Sequence, residues 1–311
     1  MKLAWLFPGQ GAQKVGMGKD LFDSSEAARS VFGTADAALG LSLSELCFSG
    51  PADKLMLTAN TQPAILATSC AVLAALKESY STLPVPAFAA GHSLGEYSAL
   101  VAAGALDVAD AVKTVRARGA AMQKAVPAGT GSMLAVMGAD SDSVEQLCDD
   151  AREEQALSTA NFNCPGQIVV AGHATAIGRA KALAKERRMR ATELKVSAPF
   201  HCALMAPAAA AVRRALKDIP INEPTFPVIA NFTAEPNQRA QQIPDLLVSQ
   251  VDGPVRWEQT LRFLAAQEVT HALEIGPGKV LAGLARRTTD AFKVHSVNDR
   301  ASLDAVAEFL K

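Results

Sequence analysis

The stretch Val85-Pro-Ala-Phe-Ala-Ala-Gly-His-Ser-Leu-Gly-Glu-Tyr-Ser-Ala-Leu100 decides the fold of this chain. It predicts a buried strand, a tight turn and a helix, and the turn is a G-x-S-x-G motif centred on Ser93. Small residues two positions either side of Ser93 would let the strand and helix pass closely, with Ser93 on a strained corner. The N–H of Leu94 would then lie where an oxyanion forms on an attacked carbonyl. The motif predicts a nucleophilic serine; the alternative is an ordinary glycine-rich turn.

Composition narrows the class of protein. The chain has 311 residues, 49% of them apolar and 20% charged, which predicts a soluble globular protein with either one large domain and an insert or two domains. A net charge of -1 gives no basic field for nucleic acid or an anionic membrane. Five cysteines without a C-x-x-C pair argue against disulfides and zinc. With neither a signal-peptide pattern nor a long uninterrupted apolar run, we expect a cytoplasmic protein.

A glycine-rich loop, Pro8-Gly-Gln-Gly11, follows the first predicted strand, 3–7. It is not a dinucleotide-binding fingerprint, because Lys14 stands where a third glycine is needed. A loop that presents backbone N–H groups to an anion is the interpretation that remains. The later Gly276-Pro-Gly-Lys279 is not a P-loop, because Val280 replaces the required Ser or Thr.

A helix from Val108 to about Ala125, capped by Asp107, carries Arg116 and Arg118 on opposite shoulders of its apolar face. Either arginine could extend to water, which is the commoner outcome. Either could instead turn inward and bind a carboxylate through two parallel hydrogen bonds. Helical periodicity does not choose between them.

The pattern changes at Pro127-Ala-Gly-Thr-Gly131 and predicts a ferredoxin-like β-α-β-β-α-β unit inserted into the larger domain. Its elements are strand 132–138, helix 141–153, strands 157–162 and 167–171, helix 175–188 and strand 191–196. The basic run Lys185–Arg190 reads as a solvated helix end. Alternatively, it helps to hold an acidic partner.

The remaining segments predict helices near 19–39 and 51–57, an apolar core helix from 60 to about 77, and α/β order after 227. Among the histidines, His201 follows Pro199 in an irregular link before a predicted helix, 202–219, and is a candidate base. Cys202 lacks any sign of an activated thiol.

Taken together, the motifs resemble the malonyl-CoA:acyl carrier protein transacylase family, almost end to end. The matching pieces are Phe7-Pro-Gly-Gln-Gly11, Gln62-Pro63, Gly91-His-Ser-Leu-Gly-Glu96, Arg118-Gly119, Asn161-Phe-Asn163, Pro165-Gly-Gln167, Pro199-Phe-His201, Gln250, Pro254-Val-Arg-Trp257 and Gly276-Pro-Gly278. The resemblance implies an α/β-hydrolase-like catalytic domain, residues 1–126 and 198–311, with the ferredoxin-like insert at 127–197.

The resemblance also implies the catalytic groups. Ser93 would attack the thioester, His201 would act as general base and then acid, and the backbone carbonyl of Gln250 would orient His201. The backbone N–H groups of Gln10 and Leu94 would form the oxyanion hole. Neither a metal nor a bound cofactor is implied.

For the substrates, the resemblance implies malonyl-CoA and the phosphopantetheine thiol of acyl carrier protein, in fatty-acid synthesis. Arg118 would bind the malonyl carboxylate, and Phe200, Met122 and His92 would line the pocket. Phe200 together with Leu94 would favour malonyl over methylmalonyl. The alternatives are a free-standing acyltransferase of a polyketide synthase, a serine thioester hydrolase, and a non-catalytic nucleotide-binding or scaffold module. We expect neither nucleic acid nor membrane as a partner.

Overall fold

The protein forms two β-sheets with helices packed around them. A computed structural model describes residues 1–194, 196 and 198–311. The strands are β1 Leu3–Phe7, β2 Phe88–Gly91, β3 Gly131–Met137, β4 Leu157–Cys164, β5 Gln167–His173, β6 Arg190–Glu193, β7 Val228–Ile229, β8 Pro236–Asn237, β9 His271–Ile275 and β10 Lys293–Val297.

Helices fill the connections between these strands. They are α1 Lys19–Ser24, α2 Glu26–Leu39, α3 Leu43–Ser49, α4 Ala52–Leu55, α5 Thr58–Ser79, α6 Gly95–Ala102, α7 Val108–Lys124, α8 Ser141–Arg152, α9 Ala174–Glu186, α10 Ala206–Leu216, α11 Ile243–Asp252, α12 Trp257–Ala266, α13 Val280–Thr288, α14 Arg300–Asp304 and α15 Val306–Phe309. Two short 3₁₀ turns, Ala203–Met205 and Ala240–Gln242, precede α10 and α11.

The larger sheet has the strand order β10-β9-β1-β2-β7-β8 and is parallel except for the β7–β8 pair. Every residue of β1 is buried, as expected for a central strand covered on both faces by helices. The carboxyl ends of β1, β2 and β7 lie side by side at one edge. Three loops that are far apart in the sequence therefore meet there.

The smaller sheet has the order β4-β5-β3-β6, and all of its pairs are antiparallel. Its elements follow one another as strand, helix, strand, strand, helix, strand, the order that the sequence predicts. It joins the rest of the protein through β4: the Phe162 N–H donates to the carbonyl of Val255 at 2.9 Å, and the Val255 N–H donates to the carbonyl of Ala160 at 2.8 Å.

The helix α5 is the long apolar helix that the sequence predicts in the core. Its length and composition would suit a membrane span, but 83% of its most apolar window is buried inside the protein. It packs between α2, α6 and α7. A helix that is apolar all round is typical of such an interior position.

Some predicted bounds are wrong. The predicted helix 19–39 is two helices, because Ser25 is extended and its hydroxyl accepts the Ala28 N–H at 3.0 Å, which starts α2 afresh. The predicted helix 202–219 begins with a 3₁₀ turn, and α10 starts only at Ala206 with Pro207 in its first turn. The predicted strand 191–196 is observed as Arg190–Glu193. Lys195 in that prediction, and Ser197 at the predicted domain boundary, lie outside the described residues.

Candidate active site

Ser93 occupies the sharp turn between β2 and α6. Its φ of 53° lies in the left-handed region, which is strained for a residue with a side chain. The two flanking glycines are required by space. A Cβ on Gly91 would lie 1.9 Å from the carbonyl carbon of Gly95, and one on Gly95 would lie 2.2 Å from the carbonyl oxygen of Phe7. Strand, helix and the end of β1 therefore meet at the corner that presents Ser93.

Asn231, just beyond β7, holds this corner in place. Its side-chain oxygen accepts the Ser93 N–H at 2.6 Å, and its amide nitrogen donates to the carbonyl of Gly91, also at 2.6 Å. The sequence analysis gave Asn231 no role. The signal was its polar side chain at a strand's carboxyl end, but the adjacency of β2 and β7 was not visible in the sequence.

The hydroxyl of Ser93 lies against His201. Ser93 Oγ is 2.8 Å from His201 Nε2, and His201 Nδ1 is 2.7 Å from the backbone carbonyl oxygen of Gln250. Because a carbonyl oxygen only accepts hydrogen bonds, Nδ1 carries the ring proton and donates it. The lone pair of Nε2 therefore faces Ser93, as a general base requires.

His201 is buried, and its imidazole is held in the neutral form. Burial, and next the positive charge of Arg118, lower the pKa of His201 from its usual 6.5 to about 3. A neutral imidazole is the form that removes a proton. The site therefore contains a base that is available at neutral pH without a carboxylate beside it.

Arg118 of α7 is 1% exposed, and its guanidinium points at the same serine. Nη2 donates to Ser93 Oγ at 3.0 Å and to Gln250 Oε1 at 2.8 Å, while Nη1 donates to Gln62 Oε1 at 2.8 Å. Among the described residues, no carboxylate forms an ion pair with Arg118, and its Nε has no hydrogen-bond partner. Arg116 instead is half-buried and donates to Asn60 Oδ1. The structure thus distinguishes the two arginines that periodicity left open.

The glycine-rich loop after β1 packs directly on the serine corner. A Cβ on Gly9 would lie 2.4 Å from the carbonyl oxygen of His92, so only glycine permits this approach. Within the described part of the chain, the backbone N–H groups of Gln10 and Leu94 donate to no protein atom. Leu94 is fully buried at the start of α6, and Gln10 lines the cavity in front of Ser93.

A cavity of about 150 Å³ opens in front of Ser93. Its lining residues are Gln10, Gln62, His92, Ser93, Arg118, Met122, Met133, Asn161, Leu194, Val196, Phe200 and His201. The residues expected at the substrate, Arg118, Phe200, Met122 and His92, are all among them. His92 Nε2 lies 2.9 Å from Asn163 Oδ1, which orients its ring.

Sequence reasoning missed three lining residues that the smaller sheet and its return link supply: Met133, Leu194 and Val196. Their apolar character looks like ordinary core packing in the sequence. Gln62 and Asn161 also line the cavity; both belong to sequence motifs, but no role was predicted for either. No sequence signal indicates that β3 and the link after β6 face the corner of β2.

The described residues, 1–194, 196 and 198–311, include no group of three or more His, Cys, Asp or Glu side chains that could hold a metal ion. All five cysteines are free and buried. Burial raises the pKa of the Cys202 thiol, next to His201, to about 11. The hydroxyl of Ser93 is therefore the nucleophile that the geometry supports.

The site combines a serine on a strand-to-helix corner with a histidine at its hydroxyl and two backbone N–H groups nearby. This is the set of groups that acyl transfer through a serine needs. The acyl transferase domain family matches residues 4–306. A Bacillus subtilis (strain 168) protein named malonyl CoA-acyl carrier protein transacylase is 47% identical over 312 residues, which cover 100% of this chain and 98% of the relative. This chain therefore belongs to the malonyl-CoA:acyl carrier protein transacylase family.

Two solved structures agree with this family assignment. The acyl carrier protein S-malonyltransferase of Vibrio cholerae O1 biovar eltor superimposes with a TM-score of 0.96 at 44% identity, covering 98% of this chain and all of the other. A malonyl-transacylase, solved in complex with its type II polyketide acyl carrier protein, gives a TM-score of 0.95 at 42% identity, covering 99% of this chain and all of the other.

Proposed function

We propose that this protein transfers the malonyl group of malonyl-CoA to the phosphopantetheine thiol of an acyl carrier protein, through an ester on Ser93. The observation that carries the proposal is the buried guanidinium of Arg118, which lies 3.0 Å from Ser93 Oγ and forms no ion pair with a carboxylate among the described residues. A charge removed from water needs an opposite charge to balance it. A substrate whose acyl group bears a free carboxylate supplies that charge beside the nucleophile.

The reaction runs in two halves. Ser93 Oγ bonds to the thioester carbonyl carbon as its proton passes to His201 Nε2, and the C–S bond then breaks while His201 gives the proton to the leaving CoA thiolate. In the second half the carrier thiol attacks the ester carbon. His201 takes the thiol proton and returns it to Ser93 Oγ as the ester C–O bond breaks.

The oxyanion of each tetrahedral intermediate is assigned to the N–H groups of Gln10 and Leu94. Both groups lie free beside the corner, and oxyanion-hole donors typically contribute about 2.7–4 kcal/mol to transition-state stability. Gln250 replaces the acid of a Ser-His-Asp triad with its backbone carbonyl. That carbonyl orients the imidazole without adding a negative charge next to the acyl carboxylate.

Selectivity for malonyl follows from Arg118. Each charge-assisted hydrogen bond contributes roughly 1.5–3 kcal/mol. An acetyl group leaves the guanidinium unpaired in a buried site, so we expect malonyl to be preferred by several hundredfold or more. Phe200 lines the cavity and narrows the space at the C2 carbon, which favours malonyl over methylmalonyl. The side chain of Leu94, expected beside it, is fully buried and does not line the cavity.

For the architecture, we propose an α/β-hydrolase-like catalytic domain, residues 1–126 and 198–311, with a ferredoxin-like insert at 127–197. The parallel order of the larger sheet and the nucleophile at the end of β2 support the first part. The β4-β5-β3-β6 antiparallel order supports the second. We propose fatty-acid synthesis as the pathway and the cytoplasm as the location, with which free, buried cysteines agree.

The test is mass spectrometry of the protein after brief exposure to malonyl-, methylmalonyl- or acetyl-CoA, followed by addition of phosphopantetheinylated carrier protein. We expect a malonyl adduct on Ser93 that then passes to the carrier thiol. Malonyl-CoA consumption without carrier protein, at a rate comparable to transfer, would favour the thioester hydrolase. Absence of any adduct would favour a non-catalytic module. Preference for a polyketide over a fatty-acid carrier protein would indicate that the protein acts in polyketide synthesis instead.

A further inference from the structure

Glu96 is a buried carboxylate that the proposed mechanism does not use. It lies in the first turn of α6, is 3% exposed and does not line the cavity in front of Ser93. Its Oε2 accepts the side-chain amide of Gln250 at 2.7 Å and the backbone N–H of Asn231 at 3.0 Å. Burying a carboxylate is unfavourable, so its position needs an explanation beyond packing.

The Gln250 amide stands between Glu96 and Arg118. Its Nε2 donates to Glu96 Oε2 and to the carbonyl oxygen of Ser93 at 2.9 Å, and its Oε1 accepts from Arg118 Nη2. The Ser93 carbonyl can only accept, Glu96 Oε2 accepts two N–H groups, and the guanidinium is a donor only. The three groups thus allow a single orientation of the amide. Reversal would set N–H against N–H at Arg118 and oxygen against oxygen at Glu96.

We infer that Glu96 is a positioning residue, which acts through the Gln250 amide to hold the Arg118 guanidinium in the orientation that receives the carboxylate of the acyl group. The inference rests on the proposed malonyl transfer and goes beyond it, since it assigns acyl selectivity to a residue that touches no substrate. Glu96 also contacts Asn231, so one carboxylate oxygen connects the corner that carries Ser93 to the cation that selects its acyl group.

The decisive variant is Glu96→Leu, which removes the acceptor at similar size. Without it, Nε2 of Gln250 keeps only the Ser93 carbonyl as an acceptor. We expect the KM for malonyl-CoA in Ser93 acylation to rise about tenfold or more, the loss typical of a hydrogen bond to a charged group. The efficiency with acetyl-CoA, which has no carboxylate to receive, should change by less than about threefold. Rates are measured per active serine in the full-length protein.

Glu96→Gln keeps an oxygen at the same place, and it should retain the malonyl-to-acetyl ratio of the wild type within about threefold. Glu274→Leu is the matched control. Glu274 is also fully buried and accepts the Leu281 and Ala282 N–H groups and the Ser296 hydroxyl, away from Ser93. The Glu274→Leu substitution should reduce the stability of the protein without changing the malonyl-to-acetyl ratio.

If Glu96→Leu does not fold, Glu96→Met removes the same acceptor with an unbranched side chain of similar size. A fall in the ratio with either variant supports the inference. An unchanged ratio, an equal loss with both substrates, or a Glu96→Gln loss as large as that of Glu96→Leu overturns it while the proposed function stands. A wild-type protein that forms no malonyl-Ser93 overturns both.

Discussion

Arg118 Nη2 lies 3.0 Å from Ser93 Oγ, so the cation and the nucleophile of this site are in direct contact. An ester on Ser93 therefore places the far end of a short acyl group within reach of the guanidinium. The same charge helps to lower the pKa of His201. In the proposed mechanism, one residue therefore both selects the acyl group and keeps the base neutral.

Ser93→Ala should abolish covalent malonylation, because Ser93 carries the only hydroxyl or thiol among the described residues that line the cavity. The backbone strain at position 93 is unchanged by this substitution, so the melting temperature should stay within a few degrees of the wild type. Intact mass after exposure to malonyl-CoA, with a thermal melt in parallel, measures both. A malonyl adduct that persists in the variant would mean that another residue carries the acyl group.

Arg118→Ala should reduce the efficiency of acylation by malonyl-CoA at least about a hundredfold more than that by acetyl-CoA, since only malonyl has a carboxylate to pair. Single-turnover acylation with both thioesters gives the ratio. The matched control is Arg116→Ala, two residues away on the same helix, which should leave the ratio unchanged. Equal losses with both thioesters would rule out the carboxylate role of Arg118.

His201 should remain able to accept a proton from Ser93 at mildly acidic pH. A histidine with the usual pKa of 6.5 would be about thirtyfold less available at pH 5, whereas His201, with its pKa lowered to about 3, stays neutral there. The measurement is the rate of Ser93 modification by an uncharged fluorophosphonate, which depends on the base and not on carboxylate binding. A rate that halves near pH 6.5 would contradict the lowered pKa.

The same shift predicts a pH dependence of stability. The folded pKa of His201 lies below the unfolded value of about 6.5, so the unfolded state binds more protons between about pH 3 and 6.5. The free energy of unfolding should therefore fall, relative to His201→Gln, as the pH is lowered from 6.5, by on the order of 1 kcal/mol per pH unit. Urea unfolding of both proteins at several pH values checks this. Parallel curves would contradict it.

Gly95→Ala should destabilise the protein by about 3 kcal/mol, because its Cβ would overlap the carbonyl oxygen of Phe7, a backbone atom that cannot rotate away. The control is Gly33→Ala in the interior of α2, where a Cβ meets nothing within 4 Å. It should stabilise the helix by about 0.5–1 kcal/mol. Free energies of unfolding from urea titrations distinguish the two; a mild effect at position 95 would mean that the corner can open.

The order of elements was accessible from the sequence, because it depends on local patterns. The G-x-S-x-G motif between an apolar strand and an alanine-rich helix predicted the corner at Ser93, and the pattern of segments from 132 to 196 predicted the order of elements in the smaller sheet. Family resemblance named His201, Gln250 and Arg118. The predicted bounds of helices were less accurate where a single side chain determines the boundary. At Ser25, the hydroxyl caps α2 and so separates it from α1.

What the sequence by itself determined is the corner at Ser93, since tight turns are governed by the size and backbone freedom of neighbouring residues. Only the tertiary structure decided what meets that corner. Strand order brings Asn231 beside Gly91, burial makes Arg118 rather than Arg116 the inward cation, and the Gln250 amide comes to lie between Glu96 and Arg118. These contacts join residues up to 154 positions apart. Their geometry depends on how the helices and sheets pack, which no local pattern encodes.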